Sequence, residues 1–167
     1  VVDPLAAVGI ETWFSLSFGH PVHTPAAAYE KAWREAAGKL VPGWARGWVG
    51  EVPLYHGEKG MNAWFAYVRA LCRHFRGRVR YFEVWNEPEA FWTHDGTSLW
   101  NTMSLAEKAK DYTEFVARTA AVVRAEIPEA QIIADVAQTG TSYIKALGKN
   151  KLADHIDNFS YHFYGPV

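Results

Sequence analysis

Glu87 stands between an amide and a proline, in the run Val79-Arg80-Tyr81-Phe82-Glu83-Val84-Trp85-Asn86-Glu87-Pro88-Glu89. A carboxyl group in an aromatic, apolar setting can be kept protonated and can give its proton to a leaving oxygen. The neighbouring Asn86 carries an amide that can bond a sugar hydroxyl. Asn, Glu and Pro in succession, with aromatics on both sides, suit the chemistry of carbohydrates. Two other places end in the same way. Gly19-His20-Pro21 closes one apolar run, with His20 in the polar position, and His162-Phe163-Tyr164-Gly165-Pro166 closes another.

These residues need elements to hold them. Val79 to Trp85, mostly aromatic and β-branched, reads as a short buried strand. Pro88 cannot donate to a sheet ladder and turns Glu87 away from helical geometry, so Asn86 and Glu87 fall at a strand's carboxyl end. In α/β proteins that edge binds ligands. Three more strands are expected, at Ile10 to Phe18, Gln131 to Val136 and about Asp157 to Phe163. A very short helix is expected around Asp3 and Pro4 and a longer one over residues 25–40. Residues 62–76 carry Trp64, Val68, Leu71, Cys72 and Phe75 on one face and end at Gly77. Ser104-Leu105-Ala106-Glu107 is a capping box that opens a helix running to Pro128, with the stripe Leu105, Ala109, Tyr112, Phe115, Val116, Val122 and Val123. A short helix over 141–147 stops at Gly148. Residues 41–60, with five glycines, two prolines, Trp44 and Trp48, read as a long loop at the binding end. Residues 89–103 form a second aromatic loop, in which Trp92 is a candidate sugar platform. Strands alternating with helices at this spacing predict parallel βαβ units in one domain over residues 1–167.

The segment Glu83-Val84-Trp85-Asn86-Glu87-Pro88-Glu89 resembles the acid/base motif on the fourth strand of clan A glycoside hydrolases, the retaining (β/α)8-barrel enzymes of the family 39 and family 5 kind. His162-x-Tyr164 is similar to the His-x-Tyr at the end of their sixth strand. The resemblance implies a partial TIM barrel of about four parallel strands, matching strands three to six. It implies Glu87 as general acid/base of a β-glycosidase and Asn86 as the group that binds the 2-hydroxyl of the sugar being cleaved. By the same resemblance His162 and Tyr164 line that subsite, and His20 stands where the third strand approaches the substrate. Period-two alternation puts His162 and Tyr164 on one side of their strand.

The nucleophile is the departure. In these enzymes it is a second Glu at the end of strand seven, and no residue matches it by motif. A retaining pair lies about 5–5.5 Å apart. Glu11 and Asp157 begin their strands, roughly 20 Å from the catalytic end. Asp135 is the better placed substitute by topology, and Glu83 is expected to be a buried structural carboxylate in need of an Arg or hydrogen-bond partner. The isolated chain is therefore expected to be inactive. The alternative is a non-catalytic carbohydrate-binding or structural half-barrel that assembles with a partner.

Composition narrows the remaining classes. At 167 residues the chain can bury one core but is short for a whole barrel, which takes about 250 residues. Self-association, or the remainder of the barrel, is expected to cover the open sheet. The net charge of −1 without a basic run offers nothing to nucleic acid or an anionic membrane, and no stretch is apolar enough to span a bilayer. The 8 Trp and 8 Tyr are many for this length; a core explains some of them, and those in loops read as platforms for sugar rings. His20 and His23 have no third ligand at a metal spacing, no Gly-rich phosphate loop follows a strand, and no cofactor is expected. The single Cys72 excludes an internal disulfide, leaves the compartment open and reads as a buried apolar residue.

Overall fold

A computed structural model describes residues 1–17, 19, 23, 52–91, 103–137 and 141–162. Four strands, β1 (Trp13–Leu16), β2 (Tyr81–Val84), β3 (Gln131–Val136) and β4 (Asn158–Tyr161), form one sheet in the order β1-β2-β3-β4. All three pairings are parallel. Sequence order and spatial order coincide, as in a barrel wall, and the α/β architecture is that of a partial barrel. β1 is shorter than the expected run from Ile10 to Phe18, because only four of its residues find partners on β2.

The described helices are α1 (Val2–Ala6), α2 (Gly57–Phe75), α3 (Pro88–Phe91), α4 (Leu105–Glu126) and α5 (Thr141–Lys149). Leu16, Phe82, Val84, Ile132, Ala134 and Val136 point from the sheet into the layer made with the helices, and all are buried. Alternation turns Ser15, Glu83 and Asp135 to the opposite face of the sheet. Trp64 of α2 joins the two long helices: its indole N–H donates to Thr119 Oγ1 at 3.0 Å and its ring packs on Phe115. Tyr112, Phe115, Val116 and Val123 of α4 are buried as the stripe requires, but Leu105, the first residue of the helix, is exposed. The Ser104–Glu107 capping box is formed on both sides.

Two helix limits differ from the sequence expectation. α2 begins at Gly57 rather than near residue 62, continuing from a 3₁₀ turn at Pro53–His56. Gly60 permits this: a Cβ there would lie 2.5 Å from His56 Cβ and 2.6 Å from the Pro53 carbonyl oxygen. Its glycine serves close packing, not a loop. α5 runs past Gly148 to Lys149, and the stop is Lys151, whose left-handed φ of 61° ends the turn. The α2 face holds Trp64, Val68 and Cys72 in the core, and burial pushes the Cys72 thiol up to about 11, as expected of an inert cysteine. The expected helix over 25–40 and the greater part of both aromatic loops lie outside the described residues.

Candidate active site

The carboxyl end of β2 is bent hard. Trp85 and Glu87 both adopt positive φ, 71° and 43°. Such geometry in non-glycine residues costs of order 1–3 kcal/mol each and persists only where the surroundings over-determine it. They do so here from several directions. The Trp85 ring is buried between Trp64 and Phe115, the Trp85 backbone N–H donates to Leu16 O at 2.9 Å, and the Trp85 carbonyl accepts from Ser15 Oγ at 3.1 Å. The Glu87 N–H donates to Asp135 Oδ1 on β3 at 2.8 Å. Beneath the turn, the buried Tyr112 hydroxyl donates to Val84 O at 2.7 Å and accepts from Asp135 N–H at 3.1 Å. Beyond it, Lys108 of α4 donates its buried amine to Glu89 O at 2.7 Å. Burial lowers that amine's pKa, partly offset by the Glu89 carboxylate.

His162 reaches the turn from the end of β4, where its N–H extends the ladder to Val136 O at 3.0 Å. Its Nδ1 lies 3.0 Å from Glu87 Oε1. Its Nε2 stands 3.4 Å from Asp135 Oδ2 and 4.0 Å from Glu83 Oε1. Burial works against a charged His162, but the bond to Glu87 and the fields of Asp135, Glu83 and Glu87 outweigh it and raise its pKa. Burial, followed by the field of Glu83, pushes the Asp135 carboxyl up to about 8, with His162 and the Glu87 N–H opposing. Glu83, Asp135 and His162 each offer one ligand atom within 4.8 Å of the others, a donor set of the size a divalent cation would use.

Three of the expected site residues therefore meet at one strand edge: Glu87, His162 and the half-buried Asn86 between the two strained positions. His20, Trp92 and Tyr164 lie outside the described residues. Glu83 is buried as expected, and among the described residues the His162 imidazole faces it, with Nε2 4.0 Å from Oε1. Asp135 is fully buried and spends one oxygen on the Glu87 backbone, so it is not presented to a sugar as a nucleophile would be. Asp135 instead holds the turn through the Glu87 N–H, a part that spacing alone does not reveal. Its signal in the sequence was a carboxylate inside an otherwise apolar strand, Ile132-Ile133-Ala134-Asp135-Val136. At the opposite end of the sheet a cavity of about 300 Å³ is bordered by Arg78 and Arg80, whose guanidinium groups already face Asp3, and Tyr81 with Glu11.

No family model matches the chain, and no curated protein matches it. Among solved structures it is similar to a β-galactosidase from the psychrophilic Marinomonas ef1, with a TM-score of 0.55 and 12% identity over 98% of this chain. The match spans 32% of that enzyme's chain, about a third of its length. At this identity the likeness is one of fold: four parallel strands with intervening helices, arranged as in part of a glycosidase.

Proposed function

We propose that this chain is the acid/base segment of a retaining β-glycosidase barrel of the clan A type, with β2 as the fourth strand and β4 as the sixth. The observation that carries this is the meeting of Glu87 and His162, 3.0 Å apart, at the carboxyl edge of a parallel sheet. Glu87 gives a proton to the leaving glycosidic oxygen and, in the second half of the reaction, takes one from the attacking water. Asn86 bonds the sugar 2-hydroxyl, and His162 fixes the Glu87 carboxyl. Tyr164, His20 and Trp92 belong to the same subsite by resemblance. No described residue supplies the nucleophile, and Glu83 and Asp135, the carboxylates nearest by topology, are 4% and 0% exposed. The remaining wall comes from further strands, in the same polypeptide or in a second copy. Exposed Trp13 on one edge strand, and Phe159 and Tyr161 on the other, support such a neighbour.

The test is a titration of the ¹⁵N-labelled chain with β-galactosides, β-glucosides and β-xylosides, beside an assay with aryl β-glycosides. Shifts at Asn86 and around His162 that vanish in Asn86→Ala are expected, without turnover. Shifts confined to the cavity at the other end of the sheet, or none with any sugar, would remove the carbohydrate assignment. Turnover lost in Glu87→Ala would show that a second carboxylate is at hand, from elsewhere in this chain or across a dimer.

A further inference from the structure

Two residues hold Glu87 by its two ends, and those two residues face each other. Asp135 Oδ1 takes the Glu87 backbone N–H, His162 Nδ1 takes the Glu87 carboxyl, and 3.4 Å separates Asp135 Oδ2 from His162 Nε2. The result is a ring of three residues drawn from β2, β3 and β4. We propose that Asp135 is a positioning residue for Glu87, closing this ring through a proton that it shares with His162.

The chemistry of the atoms requires something positive in the gap. With Nδ1–H turned to the Glu87 carboxylate, Nε2 directs its lone pair at Asp135 Oδ2 and, farther off, at Glu83 Oε1. Asp135 Oδ2 is buried and makes no hydrogen bond among the described residues. Three acceptors do not converge in a buried place without a proton or a cation between them. One proton satisfies Oδ2 and Nε2 together, and burial with the field of Glu83 favours the protonated Asp135 that supplies it. A zinc ion would hold its ligands about 3.4 Å apart in a tetrahedral shell. The 4.0 Å between Nε2 and Glu83 Oε1 is too wide for that without movement of Glu83. The separation of 3.4 Å is a few tenths longer than a formed bond, as is common in sites without substrate. The groups facing Asp135 are Glu83 of β2, Glu87 and Glu89 around the turn, Tyr112 of α4, Tyr143 of α5 and His162, while Lys108 is turned to the Glu89 carbonyl.

The ring also defines a proton path. Asp135 Oδ2–H passes its proton to His162 Nε2 while His162 Nδ1–H passes one to Glu87 Oε1. Asp135 becomes a carboxylate, Glu87 becomes the neutral acid, and the imidazole stays neutral in its other tautomer. For its catalytic meaning this rests on Glu87 being the acid/base proposed above. The ring itself is measured on the chain alone, with neither sugar nor turnover, so either idea can fail without the other.

The experiment follows the His162 ring nitrogens by NMR, and Glu87 amide exchange, in the metal-free chain and in Asp135→Asn and Asp135→Ala. In the wild type at neutral pH, Nδ1 should be protonated and Nε2 should resonate between a protonated and a free nitrogen. Asp135→Asn still accepts from the Glu87 N–H and offers an amide N–H to Nε2, so Glu87 should stay protected while Nε2 moves to the position of a hydrogen-bonded free nitrogen. Asp135→Ala should speed Glu87 exchange about tenfold, the loss of one buried hydrogen bond. An Nε2 resonance that ignores Asp135→Asn would overturn the proposal, even if Asp135→Ala does not fold. So would added Zn²⁺ that binds at micromolar concentration and shifts Nε2 in the wild type but not in Asp135→Asn, since the gap would then belong to a cation.

Discussion

His162 Nδ1 lies 3.0 Å from Glu87 Oε1, although 75 residues separate them in the chain. The contact joins the second strand to the fourth across the third, and it makes the protonation of the site part of the stability of the sheet.

The Asp135–His162 pair contributes a pH-dependent part of the stability. Both groups bind protons more tightly in the folded chain than in the unfolded one. Stability from this pair is therefore complete at low pH and is lost as pH rises, through the His162 value and through about 8 for Asp135. Urea unfolding across this range should show the wild type weakening with rising pH relative to Asp135→Asn, which has no carboxyl proton to lose. A difference that is flat or grows with pH would contradict the pairing.

Tyr112 supports the floor of the site. Its hydroxyl serves two buried backbone groups, Val84 O and Asp135 N–H, at 2.7 and 3.1 Å. Tyr112→Phe leaves both without that partner and should cost about 2–4 kcal/mol. A lower urea midpoint with an unchanged slope is the expected measurement, because the change acts on the folded state.

Two helical glycines should respond in opposite ways. Gly60→Ala places a methyl against His56 Cβ and the Pro53 carbonyl, and should destabilise by about 1–3 kcal/mol. Gly148→Ala meets nothing within 4 Å inside α5 and should stabilise by about 0.5–1 kcal/mol. Thermal midpoints of the two variants provide the comparison.

Cys72 is fully buried on α2, and burial raises its thiol to about 11, with Glu126 adding to the shift and Arg76 opposing it. An aromatic disulfide reagent at neutral pH should leave it unmodified in the native chain and label it at once in denaturant. Rapid native labelling would mean that α2 opens from the sheet.

Local chemistry was legible in the sequence and cross-chain geometry was not. The strand before Asn86, the Ser104 capping box and the buried face of α2 follow from period, caps and prolines, and the structure has them. Glu87 could be named because it ends a strand between an amide and a proline, and His162 because His162-x-Tyr164 resembles a motif at a strand end. Asp135 could be placed near them by topology, but its task depends on which way its two oxygens point, and spacing carries no such information. Gly60 is a similar case: glycine in a run of glycines signals a loop, while here the constraint is His56 one turn back and the Pro53 carbonyl two turns back.

Because spatial order follows chain order, Glu87 is made well before the residues that restrain it. Ribosomes add about 5–20 residues per second, so the 75 residues up to His162 take roughly 4–15 s. During that interval β1 and β2 can pair while the left-handed turn at Glu87 still lacks both the oxygen of Asp135 and the imidazole of His162. A released chain truncated within α4 should therefore show the first two strands protected and the Asn86–Glu87 turn open to a protease. One released after β4 should show both closed.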